Sequence, residues 1–388
     1  MIEYAFKGSK RYWSWVIILL LIIGAGVGTG VYQWFKGLGI TGMGRDIPWG
    51  FYIAQFTFLV GVAASAVMVV LPYYLHHYKT FARMTVLGEF VAIAACIMCM
   101  TFIFVDMGRP DRILNVFLHP TPNSLMFWDT VVLFGYLVLN SVIAWTTFRA
   151  ERQDITPPRW IKPFIYLSIP WAFSIHTVTA FLYSGLEGRP FWMSAILAPR
   201  FLASAFAAGP ALVVVACLIV RKYTRYDPGV DAIRALGKVI AYAMTANFFF
   251  IGLELFTGLY SDIPHHVHHF EYLFLGHGGH AGLVPWIWTS VLLGLIGLVM
   301  LIVPKTRNNL STLGFASVLV FVSLWIDKGM AMVIVGFIPT PLGYYLDYHP
   351  TLPELTISAG VYAMGLLIIT ALYKMAITVR ERDLYPGG

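Results

Sequence analysis

Long apolar stretches separated by short polar connections recur along the whole chain. A membrane-spanning helix needs about 20 apolar residues to cross roughly 30 Å of hydrocarbon. The pattern predicts ten such helices, at residues 12–35, 48–75, 84–106, 125–148, 161–185, 200–220, 238–260, 283–303, 310–326 and 355–378. The ninth has an open boundary, because apolar sequence resumes at Gly329–Ile338 after Asp327 and Lys328. That stretch either continues the helix or folds back as a re-entrant turn.

The composition supports the same class of protein. Of the 388 residues, 59% are hydrophobic and 12% are charged, with a mean hydropathy of +0.74, whereas about 25% of residues are charged in a typical soluble chain. We therefore predict an all-α, polytopic membrane helical bundle that forms a single integral membrane domain over residues 1–388. In the first span, Gly24, Gly26, Gly28 and Gly30 are expected to allow close helix packing through small residues four apart.

Lysine and arginine are unevenly distributed between the two sides of the predicted membrane domain. Nineteen lie on the side of the N-terminus and seven on the opposite side. Because cytoplasmic loops carry an excess of Lys and Arg, we predict a multi-pass protein of the cytoplasmic membrane with both termini cytoplasmic. The segment Asp106–Arg112 then faces outward. This asymmetry accounts for the net charge of +7, so the charge indicates contact with the lipid bilayer and no nucleic-acid partner.

Ionisable residues within the spans are the candidates for function, since each costs about 2.5 to 3.5 kcal/mol to insert. A rise of 1.5 Å per residue places His176 and Glu254 in the outer third of their helices. Asp106 ends an outgoing helix, and Trp128 and Asp129 begin an ingoing one. If these helices are neighbours, the five side chains form one polar layer near the outer surface.

Several of these residues also allow a structural interpretation. Asp106 and Arg109 could form a salt bridge that closes a turn, and Trp128 could be an aromatic anchor at the membrane interface. His176 could contact a ligand or make a helix-to-helix hydrogen bond. Glu254, as a lone carboxylate, would suit a proton acceptor or relay.

Glu89 and Asn247 extend this set. Glu89 lies five residues into the third predicted helix, near the cytoplasmic side. It could form the inner mouth of a proton path, or it could snorkel to the surface near His76, His77 and Arg83. Asn247 lies seven residues before Glu254, in the same predicted span.

The sequence gives little support for metal chemistry within the membrane. Bis-histidine haem needs two axial ligands, and only one histidine is clearly embedded, so we expect no haem in this chain. The three cysteines lack the spacing of an iron–sulfur site, so we expect no iron–sulfur cluster, and we assign no metal ligand within the membrane. Cys96 and Cys99 are expected to be small core residues. The histidine-rich loop His265–His280 is open to three interpretations: a metal-binding tract, a partner-docking surface or a pH-sensitive surface. We expect the connection 327–354, rich in Pro and Tyr, to be outward and to dock another subunit.

Several short motifs resemble one family of membrane proteins. They are Ile47–Gly50, Asp106–Arg112, Ser174–Thr177 and Asn247–Tyr260, and they resemble the NrfD/PsrC family of quinone-interacting membrane subunits over nearly the whole chain. The motifs Trp325–Met330 and Phe337–Leu342 are most similar to the DsrP branch and its Hdr-like menaquinol-oxidoreductase relatives. That branch would imply a respiratory complex of sulfur or sulfate metabolism.

The resemblance implies a subunit that exchanges electrons between menaquinol or menaquinone and an external ferredoxin-like iron–sulfur subunit. The complex would include a multihaem cytochrome c and further membrane subunits. It also implies eight core helices in two four-helix bundles, with the quinone near the outer surface. Some smaller members carry an Asn and a His on the second helix, where this chain has Tyr52, Gln55 and Phe56, which leaves Gln55 as a candidate contact.

These arguments give a hypothesis for quinol oxidation, in which two hydroxyl protons must be accepted as electrons leave. His176 would accept one proton and either Asp106 or Glu254 the other, while Arg109 would keep the local carboxylate ionised. The residues assigned to quinone binding are His176, Asp106, Arg109, Trp128, Asp129 and Gln55. The residues assigned to a proton path are Glu254, Asn247 and Glu89. A secondary transporter or ion channel, and a structural anchor for a redox partner, are the alternatives.

Overall fold

The computed structural model describes residues 3, 6–63, 66–75, 79–153 and 155–384. Ten helices in these ranges are long and apolar enough to cross a membrane. They are α1 (Lys10–Lys36), α2 (Phe51–Leu71), α3 (Thr85–Asp106), α4 (Leu125–Arg152), α5 (Ile161–Ser184), α6 (Leu197–Tyr223), α7 (Val230–Tyr260), α8 (Val284–Ile302), α9 (Leu310–Val335) and α10 (Leu352–Glu381). The predicted all-α membrane class with ten spanning helices is confirmed, and most helix ends differ from the predicted ones by a few residues.

The ninth helix continues beyond its predicted end. A π-helical segment of seven residues, Trp325–Ala331, leads into the helical turn Met332–Val335. The re-entrant alternative is therefore wrong, and so is the assignment of Asp327 and Lys328 to an outward connection, because both side chains are buried inside the bundle. The wider π turn inserts an extra residue into the helical repeat and commonly marks a functional site.

Helices α2 to α9 form two four-helix bundles. Helices α2, α3, α4 and α5 pack around one interior, and α6, α7, α8 and α9 pack around a second. The two bundles meet where α2 and α5 contact α6 and where α2 contacts the π-helical segment. Helices α1 and α10 pack on each other and lie against α3 outside the first bundle. This arrangement agrees with the two-bundle organisation that the resemblance implied.

Successive helices run in opposite directions, so their ends gather at two levels. We call the level that holds Asp106–Arg112 the motif end. The motif end contains the last residues of α1, α3, α5, α7 and α9 and the first residues of the other five helices. We call the opposite level the far end.

One of the four glycines predicted for close packing has that role. A Cβ atom on Gly26 would lie 2.7 Å from the Cα atom of Gly360 in α10, whereas Cβ atoms on Gly24, Gly28 and Gly30 would meet nothing within 4 Å. Only glycine allows the two backbones to approach this closely. The expectation for the cysteines is also confirmed, because Cys96 and Cys99 are buried and unpaired by disulfides.

Candidate functional site

His176 lies in the interior of the first bundle, on α5. Its side chain is fully buried, and neither Nδ1 nor Nε2 has a hydrogen-bond partner among the described residues. The helix-to-helix hydrogen bond considered from the sequence is therefore not made. A buried polar group without a partner costs about 1–3 kcal/mol, so this imidazole is available for a ligand.

Asp129 of α4 lies beside the same face of α5. Its Oδ1 accepts a 2.6 Å hydrogen bond from the hydroxyl of Thr179, which lies three residues after His176 on α5. The Asp129 carboxylate is buried. Residues three apart on a helix lie on one face, so Asp129 contacts the face of α5 that also carries His176.

Trp128 points away from this interior. Its ring is 45% exposed on the bundle surface, and its Nε1 donates a 2.7 Å hydrogen bond to the carbonyl of Pro122. Consecutive helix residues point in different directions, so the burial of Asp129 turns Trp128 outward. The interfacial interpretation fits Trp128, and its predicted place in the polar layer was wrong.

A cluster of aromatic rings covers the motif end between the two bundles. Trp49, Tyr183, Trp192 and Phe337 pack mainly edge to face, with ring centroids 4.9–6.1 Å apart. The hydroxyl of Tyr183 is hydrogen-bonded to that of Thr57. Trp49 belongs to one of the motifs noted in the sequence, but Tyr183 and Trp192 were missed because an aromatic residue at a helix end has no distinguishing pattern.

Asp106 is the last residue of α3, and its Oδ1 is buried with no hydrogen-bond partner in the described part of the chain. The salt bridge between Asp106 and Arg109 that the sequence left open is not made. Arg109 instead forms a 3.0 Å salt bridge with Asp111, and both side chains are largely exposed. After the helix ends, the 3₁₀ turn Pro110–Arg112 brings Asp111 back towards Arg109 at the surface. The hydrogen bond from Arg109 lowers the pKa of Asp111.

A hydrogen-bonded group surrounds the motif end of α3 and was not predicted. Gln33 of α1 donates from Nε2 to the carbonyl of Val105 at 2.7 Å, and its Oε1 accepts a 2.6 Å bond from the hydroxyl of Tyr52. Glu354 of α10 is buried and accepts bonds from Tyr348 and from two backbone amides. Glu354 lies in the first turn of α10. A carboxylate beside a long apolar stretch is unusual, and this feature of the sequence could have identified Glu354 as a candidate.

A cavity of about 250 Å³ lies next to this group, between α1, α3 and α10. Its wall is almost entirely apolar and includes Gln33, Met107 and Gly108. Val27, Val31 and Trp34 of α1 line it and are exposed on the surface that faces lipid. An apolar cavity with one polar wall is suited to an amphipathic molecule that enters from the bilayer.

Gln55 joins three helices rather than facing α5. Its Oε1 accepts hydrogen bonds from Trp325 Nε1 of α9 at 2.6 Å and from the Tyr362 hydroxyl of α10 at 2.7 Å. Its Nε2 is buried without a partner among the described residues. The structure thus gives Gln55 a bridging position between α2, α9 and α10.

Glu254 is not the lone carboxylate that the sequence predicted. Arg200 of α6 forms a 2.5 Å salt bridge to Glu254 of α7 and a 2.8 Å salt bridge to Asp327 of α9. All three belong to the second bundle, whereas His176 and Asp106 belong to the first. The predicted single polar layer is therefore divided between two bundles, because in the part of the chain that the structure describes α7 packs mainly on α6, α8 and α9. Arg200 was missed because it lies at the very start of its predicted span.

Lys328 lies between the two bundles. Its Nζ is 4.4 Å from the ring centroid of Phe201 and 3.4 Å from that residue's carbonyl oxygen. A Cβ atom on Gly61 of α2 would lie 3.2 Å from the same Nζ, so the small residue makes room for the lysine.

Glu89 is buried in the first bundle towards the far end. Only 2% of the residue is exposed, and its Oε2 has no partner among the described residues. The snorkelling interpretation is wrong, because the carboxylate does not reach the surface; His76 and His77 lie outside the described residues. Glu89 and the pair Asn247 and Glu254 occupy different bundles, so the structure does not bring the three predicted proton-path residues together.

The histidine-rich loop contains the helix Pro264–Phe274 and a short turn. No group of three or more His, Cys, Asp or Glu residues that could hold a metal occurs in the described ranges. His269 Nδ1 lies 3.1 Å from the Val335 carbonyl and 2.5 Å from the Ile338 carbonyl, and His280 pairs with Asp347 at 3.1 Å. Burial lowers the pKa of His269 to about 4. The loop therefore packs against the connection after α9.

Residues 39–338 match the family described as polysulphide reductase, NrfD. The chain belongs to this family. The matched region contains α2 to α9 and leaves out α1 and α10, so it coincides with the two four-helix bundles. The NrfD match confirms the resemblance noted in the sequence.

Relatives align with the chain over almost its full length. It is 28% identical to a protein of Halobacterium salinarum assigned as a membrane subunit of dimethyl sulfoxide reductase, over 95% of this chain and 91% of the relative. It is 24% identical to the Hdr-like menaquinol oxidoreductase integral membrane subunit of Archaeoglobus fulgidus, over 96% and 95%. It is 20% identical to the menaquinone reductase integral membrane subunit of Nitratidesulfovibrio vulgaris, over 97% and 94%.

Proposed function

We propose that this chain is the quinone-reacting membrane subunit of a menaquinol oxidoreductase-type respiratory complex. Two NrfD-type relatives that cover nearly the whole chain carry menaquinol or menaquinone in their names. The chain would bind menaquinol or menaquinone near the outward-facing motif end. It would exchange electrons with an iron–sulfur subunit docked there, in a complex that includes a cytochrome c and further membrane subunits.

The unpartnered, fully buried imidazole of His176 is the observation that carries this proposal. Neutral imidazole can accept a hydroxyl proton through one nitrogen. Asp129, held in place by Thr179, is the second acceptor in the same interior. This pair replaces the predicted use of Glu254, which is committed to Arg200 in the other bundle.

Oxidation of one quinol releases two protons and two electrons. His176 and Asp129 would each accept one proton from a quinol hydroxyl, and the electrons would pass to the iron–sulfur cluster of the partner. Asp106 lies at the end of α3 with a free buried oxygen, so it is suited to pass the protons to water at the motif end. The aromatic cluster around Trp49 and Trp192 would exclude water from the electron-donating site.

The test is quinol oxidation by the purified complex, with reduction of the partner's cluster followed spectroscopically. His176→Ala should lower the rate at least 100-fold, the scale of lost acid–base catalysis, while the complex stays assembled. His265→Ala, at an exposed histidine of the loop, is the matched control and should retain activity. Normal turnover by an assembled His176→Ala complex would refute the proposed site.

A further inference from the structure

A second cavity, of about 320 Å³, lies within the second bundle. It lies between α7, α8 and α9 and is bounded by the helix Pro264–Phe274. Most of its wall is apolar, and five of its lining residues are aromatic: Phe191, Phe248, Phe270, Phe274 and Trp288. Trp288 and Leu295 line the cavity and are also exposed on the lipid-facing surface of α8. The cavity is thus accessible from the side of the bundle.

The inner wall of this cavity is polar and holds two hydrogen-bond acceptors without a partner. Asn247 Oδ1 and Asp327 Oδ2 are buried, and neither has a partner in the part of the chain that the structure describes. The two terminal nitrogens of Arg200 donate to Glu254 and to Asp327 Oδ1, and no hydrogen bond from Arg200 reaches Asp327 Oδ2. Each unmet buried acceptor is unfavourable, and a ligand with two donors would satisfy both.

The unpartnered acceptors of the polar wall narrow the choice of ligand further. An ionised carboxylate or phosphodiester headgroup carries only acceptors, so it could hydrogen-bond to neither Asn247 Oδ1 nor Asp327 Oδ2. The aromatic lining favours a flat aromatic ring, since ring-to-ring contacts stabilise a complex beyond the burial of apolar area.

We infer that this cavity binds a hydroquinone, an aromatic ring with two hydroxyl donors, as a site separate from His176. One hydroxyl donates to Asn247 Oδ1 and the other to Asp327 Oδ2. An oxidised quinone has only carbonyl acceptors and cannot make either bond, so the site selects the reduced form. That the natural ligand is a membrane quinol rests on the proposed function. That the cavity binds a ring with two hydroxyl donors rests only on the residues that line it.

The test is equilibrium binding of menadiol, a reduced naphthoquinone, to the full-length chain in its purified complex. Wild type should bind two molecules per chain. Asn247→Leu should weaken one of them at least tenfold, and His176→Ala should remove the other. Menadione, the oxidised probe, should occupy only the site at His176. Asn140→Leu is the matched control, because Asn140 is a buried amide in the first bundle that donates to the Tyr136 carbonyl.

The outcomes separate the two sites. One bound menadiol that is lost in His176→Ala overturns the second site and leaves the proposed function standing. Two bound molecules, one lost in Asn247→Leu and none in His176→Ala, support the second site and refute the role of His176. Two molecules that persist in Asn247→Leu overturn the second site. If Asn247→Leu fails to fold, Trp288→Leu at the half-exposed wall position should show the same loss.

Discussion

Arg200 in α6 donates a 2.8 Å hydrogen bond to Asp327 in α9. The same guanidinium also binds Glu254 in α7, so one side chain connects three helices of the second bundle. All three side chains are about nine-tenths buried. Arginine suits this position because its planar group presents several donors in fixed directions.

Arg200→Leu should destabilise the protein strongly. Removing the cation leaves two buried carboxylates without a partner, and breaking a buried ion pair in this way costs about 3–5 kcal/mol. We expect a clear fall in the thermal unfolding temperature of the detergent-solubilised protein. Arg109→Leu is the matched control, because its salt bridge with Asp111 lies on the surface, and it should leave the unfolding temperature unchanged.

A triple variant tests the reason for that loss. Replacing Arg200, Glu254 and Asp327 together by leucine removes the charges along with their partner, and such apolar replacements of buried ion groups are often neutral or stabilising. The triple variant should therefore be more stable than Arg200→Leu alone. If it is less stable, the carboxylates do not destabilise the single variant and the ion-pair explanation fails.

Gly26→Val should detach α1 from α10. A side chain at this position would collide with the backbone of Gly360, 2.7 Å from the new Cβ, and backbone atoms cannot move aside as a flexible side chain can. Gly28→Val is the control, since its Cβ would meet nothing within 4 Å. Disulfide cross-linking between cysteines introduced into α1 and α10 should fall in Gly26→Val and persist in Gly28→Val. Equal cross-linking in both variants would contradict the close contact.

The ten helices could be predicted because a membrane imposes the same length and apolarity on each span. The partners of the polar residues could not. Arg200 and Asp327 are 127 positions apart, and no local pattern indicates that α6 and α9 are neighbours. The end of α9 was misplaced because Asp327 and Lys328 interrupt the apolar run. Charged residues usually end a span, but here Arg200 and Phe201 provide partners inside the bundle.

Within the candidate site, the sequence identified His176, Asp129 and Asp106 by residue type and depth. The structure buries the side chains of His176 and Asp129 and one carboxylate oxygen of Asp106. The error over Arg109 has a local cause. The sequence offers Asp106 and Asp111 at comparable distances along the chain, and only the 3₁₀ turn at Pro110 decides that the arginine faces Asp111.

His269 should make the contact between the histidine-rich loop and α9 sensitive to acid. Burial lowers its pKa from 6.5 to about 4 in the folded protein, so the unfolded state binds a proton more readily. The stabilisation is therefore fully present above about pH 6.5 and is lost as the pH falls towards 4. We expect the unfolding temperature to decrease over this interval and the decrease to be smaller in His269→Gln.

The control for this pH dependence is His265→Gln, at an exposed histidine of the same loop. It should keep the wild-type decrease between pH 6.5 and pH 4. A wild-type protein whose unfolding temperature is constant over this range would show that His269 is not held neutral by burial. Hydrogen exchange of the loop amides at the two pH values would show whether the loop is the part that loosens.

Asp106 and Asp111 belong to one motif but lie in different environments. The variants Asp106→Asn and Asp111→Asn test the role of each acid separately. Asp106 has a buried oxygen without a partner, and Asp111 is exposed and paired with Arg109. An amide cannot accept and release a proton at neutral pH, so Asp106→Asn should lower quinol oxidation at least tenfold in an assembled complex with unchanged quinol binding. Asp111→Asn should retain the wild-type rate. If the two variants lose activity equally, the motif acts through its fold and not through a proton at Asp106, and the proton exit must be sought at Glu354 or Tyr52.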